Sequence, residues 1–186
     1  MIIGLTGSYC SGKDTAGEYI VGKYKFTHIS LSNIIRDEMK SKGVEITREN
    51  LIVFGKNLRQ ENGNGILSKI ALSNMKEGAD YCITSIRHPD EVSELKKRKD
   101  FALIYIDAPK EIRFDRMIKR NRAGDPKDFK TFTKLEEAES QKEGSGQQLV
   151  KTALLADIKI INASNSLEPL YSKIDNCINS LKRKEC

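Results

Sequence analysis

The chain has 186 residues, with 32 Lys+Arg against 26 Asp+Glu for a formal net charge of +6, and it is 38% hydrophobic and 31% charged. That length and apolar content suit a single core, and 13 Gly with 4 Pro exclude a collagen-like or low-complexity chain. Apolar runs fall far short of the roughly 18 residues that span a bilayer, the start carries no basic leader, and Cys10, Cys82, Cys177 and Cys186 form no CxxC pair, so a cytoplasmic protein with free thiols and no membrane contact is expected.

Short β-branched runs alternate with longer helical patterns from end to end, the rhythm of a parallel α/β sheet. A strand at 2–6 enters a Gly-rich turn, and a helix follows from after Gly12 to about residue 23, with Ala16, Tyr19 and Ile20 as its inner stripe. A strand at 26–30 precedes helices at 31–42, 47–61 and 65–76. Strands at 81–85 and 102–107 lead into helices at 89–98 and 109–121, with Pro89 and Pro109 read as first-turn residues. A helix at 129–148 with a break near Gly144 and Gly146, a strand at 157–162 and a helix at 166–181 complete the series. All five strand centres are apolar, which predicts cover on both faces. Thr47 and Ser166 read as N-caps, 122–130 as an exposed loop carrying Gly124 and Asp125-Pro126, and 182–186 as a frayed tail.

The excess of positive charge is local. Residues 110–130 hold eight bases against four acids. With no Trp, 6% aromatics and no interleaving of aromatics with bases, a single-strand stacking platform is not expected, which argues against nucleic acid as a partner. A local anion clamp fits the pattern better.

The most specific signal is Gly7-Ser8-Tyr9-Cys10-Ser11-Gly12-Lys13-Asp14-Thr15, placed between a buried strand and a helix. The spacing is nearly that of a Walker A turn, in which backbone N–H groups wrap a β-phosphate and the following helix N-terminus adds its dipole. Lys13 is then the group that neutralises the β and γ oxygens of ATP. Asp14 stands where a Ser or Thr hydroxyl usually holds Mg²⁺, and Thr15 comes one place later. A carboxylate there suits Mg²⁺, directly or through water; it suits equally a first-turn acid that satisfies helix N–H groups.

On these residues the chain resembles the P-loop nucleoside monophosphate kinases, in the adenylate kinase and dephospho-coenzyme A kinase branch. It is similar to small archaeal adenylate-kinase-related proteins and to the kinase-like domains associated with deoxycytidylate deaminases. Its Gly12-Lys13-Asp14-Thr15 is similar to the turn of phage-type deoxynucleoside monophosphate kinases. The resemblance runs nearly the whole chain, from the Gly4-Leu5-Thr6-Gly7 strand end to Ala156-Asp157 and Ile161-Asn162. It implies one P-loop kinase-like α/β domain over 1–186, with a five-stranded parallel sheet in the order 2-3-1-4-5, acceptor-side helices at 31–77 and a lid at 113–130.

The resemblance also implies roles. Arg36 and Arg59 are expected to hold the acceptor's phosphate, though both read also as helix arginines in surface ion pairs. Arg87, in Thr84-Ser85-Ile86-Arg87, occupies the family's Asp-Gly-x-Arg segment and is expected to reach the transferring phosphate; the acid of that motif is absent. Arg113, Arg116 and Arg120 recur along one helix face, and Arg116, Arg120 and Arg122 are expected to fold over the phosphates as lid arginines. Backbone near Asn162 and Ala163 is expected to contact the adenine, while Asn165-Ser166 reads equally as a helix cap. His88 and Asp107 read as structural residues, Asp107 as a turn and cap. The implied activity is Mg²⁺-dependent transfer of the γ-phosphate of ATP to a small phosphorylated acceptor, a nucleoside or deoxynucleoside monophosphate. An ATP-binding sensor or scaffold with weak or no transfer, and a dephospho-coenzyme A kinase-like activity, are the alternatives.

Overall fold

Strand β1 (Ile2–Gly7) is buried at all six of its positions. It lies between two parallel neighbours, β3 (Tyr81–Thr84) and β4 (Phe101–Asp107), with Ile2 in register with both Tyr81 and Phe101. Outside them lie β2 (Thr27–Ser30) beside β3 and β5 (Ile158–Ile161) beside β4, so the order is β2-β3-β1-β4-β5, all parallel. The molecule is described by a computed structural model over residues 1–122, 124–140 and 147–185.

The period-2 alternation of the strands sorts their side chains into two cores. Ile2, Ile83 and Leu103 face α2 (Leu31–Ser41), α4 (Ile66–Ser73) and α5 (Pro89–Leu95), whose Leu31, Ile35, Met39, Leu67, Ala71, Val92 and Leu95 are buried with them. Ile3, Cys82 and Ile104 face the other way, onto Ala16 and Ile20 of α1 (Lys13–Tyr24) and Ile174 and Ile178 of α9 (Glu168–Glu185). Helix α3 (Arg48–Asn62) packs on α2 and α4, α8 (Leu149–Leu154) packs on β1 and α5, α7 (Phe129–Ser140) packs on α8, and α6 (Lys110–Arg120) follows β4.

Several expectations need correction. Cover on both faces holds for the three central strands; β2 and β5 are edges that expose Thr27, His28, Lys159 and Ile161. Helix α8 is a separate element, and the break expected near Gly144 and Gly146 lies outside the described residues. Helix α9 starts at Glu168, so Ser166 is not its cap, and it runs to Glu185 where a frayed tail was expected. Pro109 is the N-cap of α6, not a first-turn residue. Thr47 does cap α3, its side chain accepting from the Asn50 N–H. Cys10, Cys82 and Cys177 are free thiols, and among the described residues no helix is long and apolar enough to cross a membrane.

Helix α9 is fastened to α1 by Asp175, which accepts from the Tyr19 hydroxyl at 2.9 Å, the Tyr24 hydroxyl at 2.7 Å and Lys23 Nζ at 2.7 Å. Burial by itself would raise this carboxyl, but the hydrogen bonds from Lys23, Tyr24 and Tyr19 outweigh it and hold the group below its ordinary value. A depressed folded-state value contributes stability above the unfolded carboxylate pKa, and that contribution is lost as the pH falls through the folded one. Asp175→Asn is therefore expected to lower the unfolding midpoint at pH 7 and to change it little near pH 2, in thermal melts across that range. An equal loss at both pH values would remove the charge from the account.

Candidate functional site

The turn after β1 is shaped by close approach. A Cβ at Gly7 would collide with the Ile106 carbonyl of β4. Gly12 has φ +96°, where a Cβ would stand 2.5 Å from Asn162 Nδ2, so glycine is required there by conformation and by space. Cys10, also left-handed at φ +55°, turns its carbonyl outward. Arg116 gathers that carbonyl and those of Ser11, Asn162 and Ser164, with contacts of 3.4, 3.4, 3.2 and 2.5 Å. Asn162 Nδ2 donates to Ser11 O at 2.9 Å, and its backbone N–H donates to Asp107 O at 2.7 Å. In a trans peptide the C=O and the following N–H point opposite ways. The Ser11 carbonyl, drawn onto Arg116 and Asn162, therefore turns the Gly12 amide the opposite way, while the Ser11 N–H closes the turn on the Ser8 carbonyl at 3.3 Å; a turn of this kind can present backbone N–H groups to an anion.

Lys13 opens α1 at the mouth of this loop. Burial pushes its ammonium below the usual lysine range; Asp14 opposes the push, while Arg87 and Arg120 add to it. Such a cation lacks a counter-charge of the strength a polyphosphate would bring. Beside it lies a cleft of about 370 Å³, a volume suited to a nucleotide-sized ligand. Gly12, Lys13, Asp14 and Thr15 form one wall, Arg116, Arg120 and Arg122 a second, and Asn162, Ser164, Asn165, Ser166, Leu167 and Leu170 the third. Asp14 is exposed on that wall. Ala163 does not line it; it faces a neighbouring hollow with Lys173.

The arginines of α6 divide their work. Arg113 is buried and forks onto Glu136 of α7. Arg116 fastens the phosphate turn to the turn after β5, as described. Arg120 pairs with Asp125 at 2.7 Å, and Arg122 is exposed. The structure thus brings Arg116, Arg120 and Arg122 to the cleft; Arg116 is held by carbonyls and Arg120 by Asp125, whereas Arg122 makes no ion pair among the described residues.

On the other side of the turn, Lys13, Ser85 and Arg87 line one small cavity with Gly7 and Tyr9. Arg87 is gripped by the segment before α8: its NH1 donates to Gln147 Oε1 at 3.0 Å, and its carbonyl accepts from the Gln148 N–H at 2.8 Å. Arg36 sits half-exposed on α2 and donates to Ser32 Oγ at 2.9 Å. Arg59 does not join them. It is 6% exposed and donates through Nε and NH2 to Glu91 Oε1, at 3.2 and 2.8 Å, so its guanidinium is committed to a buried carboxylate and the expected acceptor contact is corrected. His88, read as structural, is a buried N-cap that accepts from the Asp90 N–H.

Three residues were missed by sequence reasoning. Asp107 is more than a turn residue: its carboxylate accepts from Ser8 Oγ at 2.9 Å and holds the start of the phosphate turn. Adjacent strand ends were the available signal, because β4 flanks β1. Gln147 and Gln148, which the sequence reading placed inside a long helix, hold Arg87 instead; the Gly-rich break before them was the signal.

Comparison with known proteins agrees with this fold. A family model described as an AAA domain matches residues 6–133. The chain is similar to a UPF0200 protein of Methanocaldococcus jannaschii, 30% identical over 185 residues that cover 97% of this chain and 90% of the relative. Among solved structures it is similar to shikimate kinase from Acinetobacter baumannii in complex with shikimate, with a TM-score of 0.61, 16% identity, and coverage of 96% and 93%. A gluconokinase from Sinorhizobium meliloti superposes with a TM-score of 0.52 at 12% identity, covering 97% of this chain and 91% of that one. At those identities the two kinases speak to the fold, which is P-loop kinase-like.

Proposed function

This chain belongs to the UPF0200 family and to the AAA-domain P-loop proteins, and from that premise we propose that it transfers the γ-phosphate of ATP to a small phosphorylated acceptor, with nucleoside and deoxynucleoside monophosphates as the first class to test. The observation that carries the reading is the placement of Lys13. Its charge is disfavoured by burial, it opens a helix at the end of a loop whose carbonyls are drawn away, and it lies between a nucleotide-sized cleft and the cavity it shares with Arg87. Phosphoryl transfer asks the protein chiefly for positioning and charge neutralisation. Here Lys13 would meet the β and γ oxygens, Arg120 and Arg122 would approach from the lid side over 113–130, and Arg87 would approach from the acceptor side, where helices over 31–77 form the wall.

Among the described residues no group of three or more His, Cys, Asp and Glu side chains could hold a metal by itself. The donor set fits Mg²⁺ that arrives with the nucleotide, since that ion is usually held by one or two carboxylates and substrate phosphates, and Asp14 offers one exposed carboxylate on the cleft wall. When bound, Mg²⁺ would supply neutralisation of phosphate charge.

The replacement of the strand-three acid favours a second reading, an ATP-binding sensor with weak transfer. Thr84 stands there, buried, with its hydroxyl 2.9 Å from His28 Nε2. ADP release from MgATP, measured against a panel of nucleoside monophosphates, separates the two. Acceptor-dependent release is expected. MgATP binding without it would favour the sensor, and no MgATP binding at all would overturn both.

A further inference from the structure

Arg113 stands between two carboxylates. It is 7% exposed, and among the described residues the acids within 4.0 Å of its guanidinium are Glu136 of α7 and Asp107 at the end of β4. The two are engaged differently. Glu136 receives the fork, NH1 on Oε1 and NH2 on Oε2 at 3.2 Å, while Nε donates to the Ala108 carbonyl at 2.8 Å. Asp107 Oδ1 is left 3.7 Å from Nε, outside hydrogen-bond reach. That same oxygen accepts from Ser8 Oγ at 2.9 Å, and Ser8 Oγ is also 3.1 Å from the Tyr105 hydroxyl. Ser8 is the residue whose carbonyl closes the phosphate turn on the Ser11 N–H. One guanidinium therefore decides whether Asp107 is available to the start of the turn.

We propose that Glu136 is a positioning residue for the phosphate turn: by holding Arg113 it keeps Asp107 on Ser8, and so acts on nucleotide affinity through two intervening side chains. The relay deepens the phosphotransfer reading and rests on it for the identity of the ligand as MgATP. Its driving force is the cost of a buried cation without a counter-charge. With the Glu136 charge removed, Arg113 remains buried and turns its fork onto the one acid left within reach. A bidentate pair of ions is stronger than a hydroxyl bound to an ion, so Asp107 reorients toward Arg113 and Ser8 loses its acceptor. Helix α7 keeps its place meanwhile, because Phe132 is 0% exposed and packs on Phe114 with ring centroids 5.6 Å apart. Charge alone gives the opposite sign. Glu136 and Asp107 are anions near a turn that receives an anion, and neutralising either one reduces repulsion and would tighten MgATP. The relay requires MgATP to bind more weakly.

The test is calorimetric titration of MgATP into the full chain as wild type, Glu136→Gln, Ser8→Ala and the double variant. Ser8→Ala is expected to weaken binding about tenfold, the weight of one hydrogen bond to a charged group. Glu136→Gln should weaken it by about three- to tenfold, and the double variant should bind no more weakly than Ser8→Ala, since Glu136 acts only through that hydroxyl. Unchanged or tighter binding by Glu136→Gln, or losses that multiply in the double variant, would overturn the relay. Hydrogen exchange in the nucleotide-free protein gives a second readout. Amides of residues 8–12 should exchange faster in Glu136→Gln than in wild type, while those of residues 3–5 inside β1 should not. Equal rates at 8–12, or equal acceleration of both segments, would also overturn it. If wild type fails to bind MgATP, the phosphotransfer reading fails, and the exchange comparison still decides the relay.

Discussion

Lys13→Met is expected to remove phosphoryl transfer while making the nucleotide-free protein more resistant to heat. Loss of one preorganised donor to the charge that develops in the transition state costs about 10²–10³ in rate, which is the least to expect here, because Lys13 is a full cation at the mouth of the phosphate turn. The stability effect has the opposite sign. Burial holds the Lys13 value below that of an unfolded lysine, with Arg87 and Arg120 adding to the shift against Asp14. A base whose folded-state value is depressed destabilises the fold wherever it is charged, in full below the folded value and vanishing above the unfolded one. At pH 7 that penalty is present, and methionine keeps the aliphatic stem without it. A domain of this size shifts by about 2–4 °C per kcal/mol relieved. Melting curves with and without MgATP provide the check: MgATP should raise the wild-type midpoint more than that of the variant. A variant that melts lower and still turns over would refute both the strain and the role.

The same feature explains what the sequence could show. The central strands and the turn were legible because their causes are local: an unbroken apolar run for β1, Gly12 where only glycine fits, and a lysine at fixed spacing. The ends of the strands fell within two residues of expectation for the same reason. Partner choice was not local. Arg113, Arg116 and Arg120 share a helix face by spacing, but their partners are Glu136, carbonyls as far back as Cys10, and Asp125, so one sequence pattern resolves into three different jobs. Edge position was hidden too, since Ile158–Ile161 is apolar whether or not a neighbour covers it, and only the strand order leaves Ile161 exposed. Arg59 shows the same limit most clearly, because nothing near it in sequence announces Glu91.

Arg59→Met is expected to cost more stability than any other single change discussed above. Glu91 is 0% exposed, and its two oxygens are divided: Oε1 takes both donors from Arg59, while Oε2 accepts from the Arg87 N–H at 2.8 Å and the His88 N–H at 3.1 Å. Without Arg59 the carboxylate stays buried beside two backbone donors and no counter-charge, a loss of about 3–5 kcal/mol. Arg59→Lys keeps the charge but not the two-pronged geometry, and should fall between. The cycle of Arg59→Met, Glu91→Leu and the double variant tells an ion pair from mere packing: a true pair leaves the double variant more stable than the two single losses predict, by about 0.5–3 kcal/mol. Recovery should be incomplete, because Glu91→Leu also strips the acceptor from Arg87 and His88. Additive losses in denaturant melts would mean that Arg59 only fills space. If the coupling is present, α3 on the acceptor side and the loop that presents Arg87 are joined through one carboxylate, and displacement of either is resisted by the other.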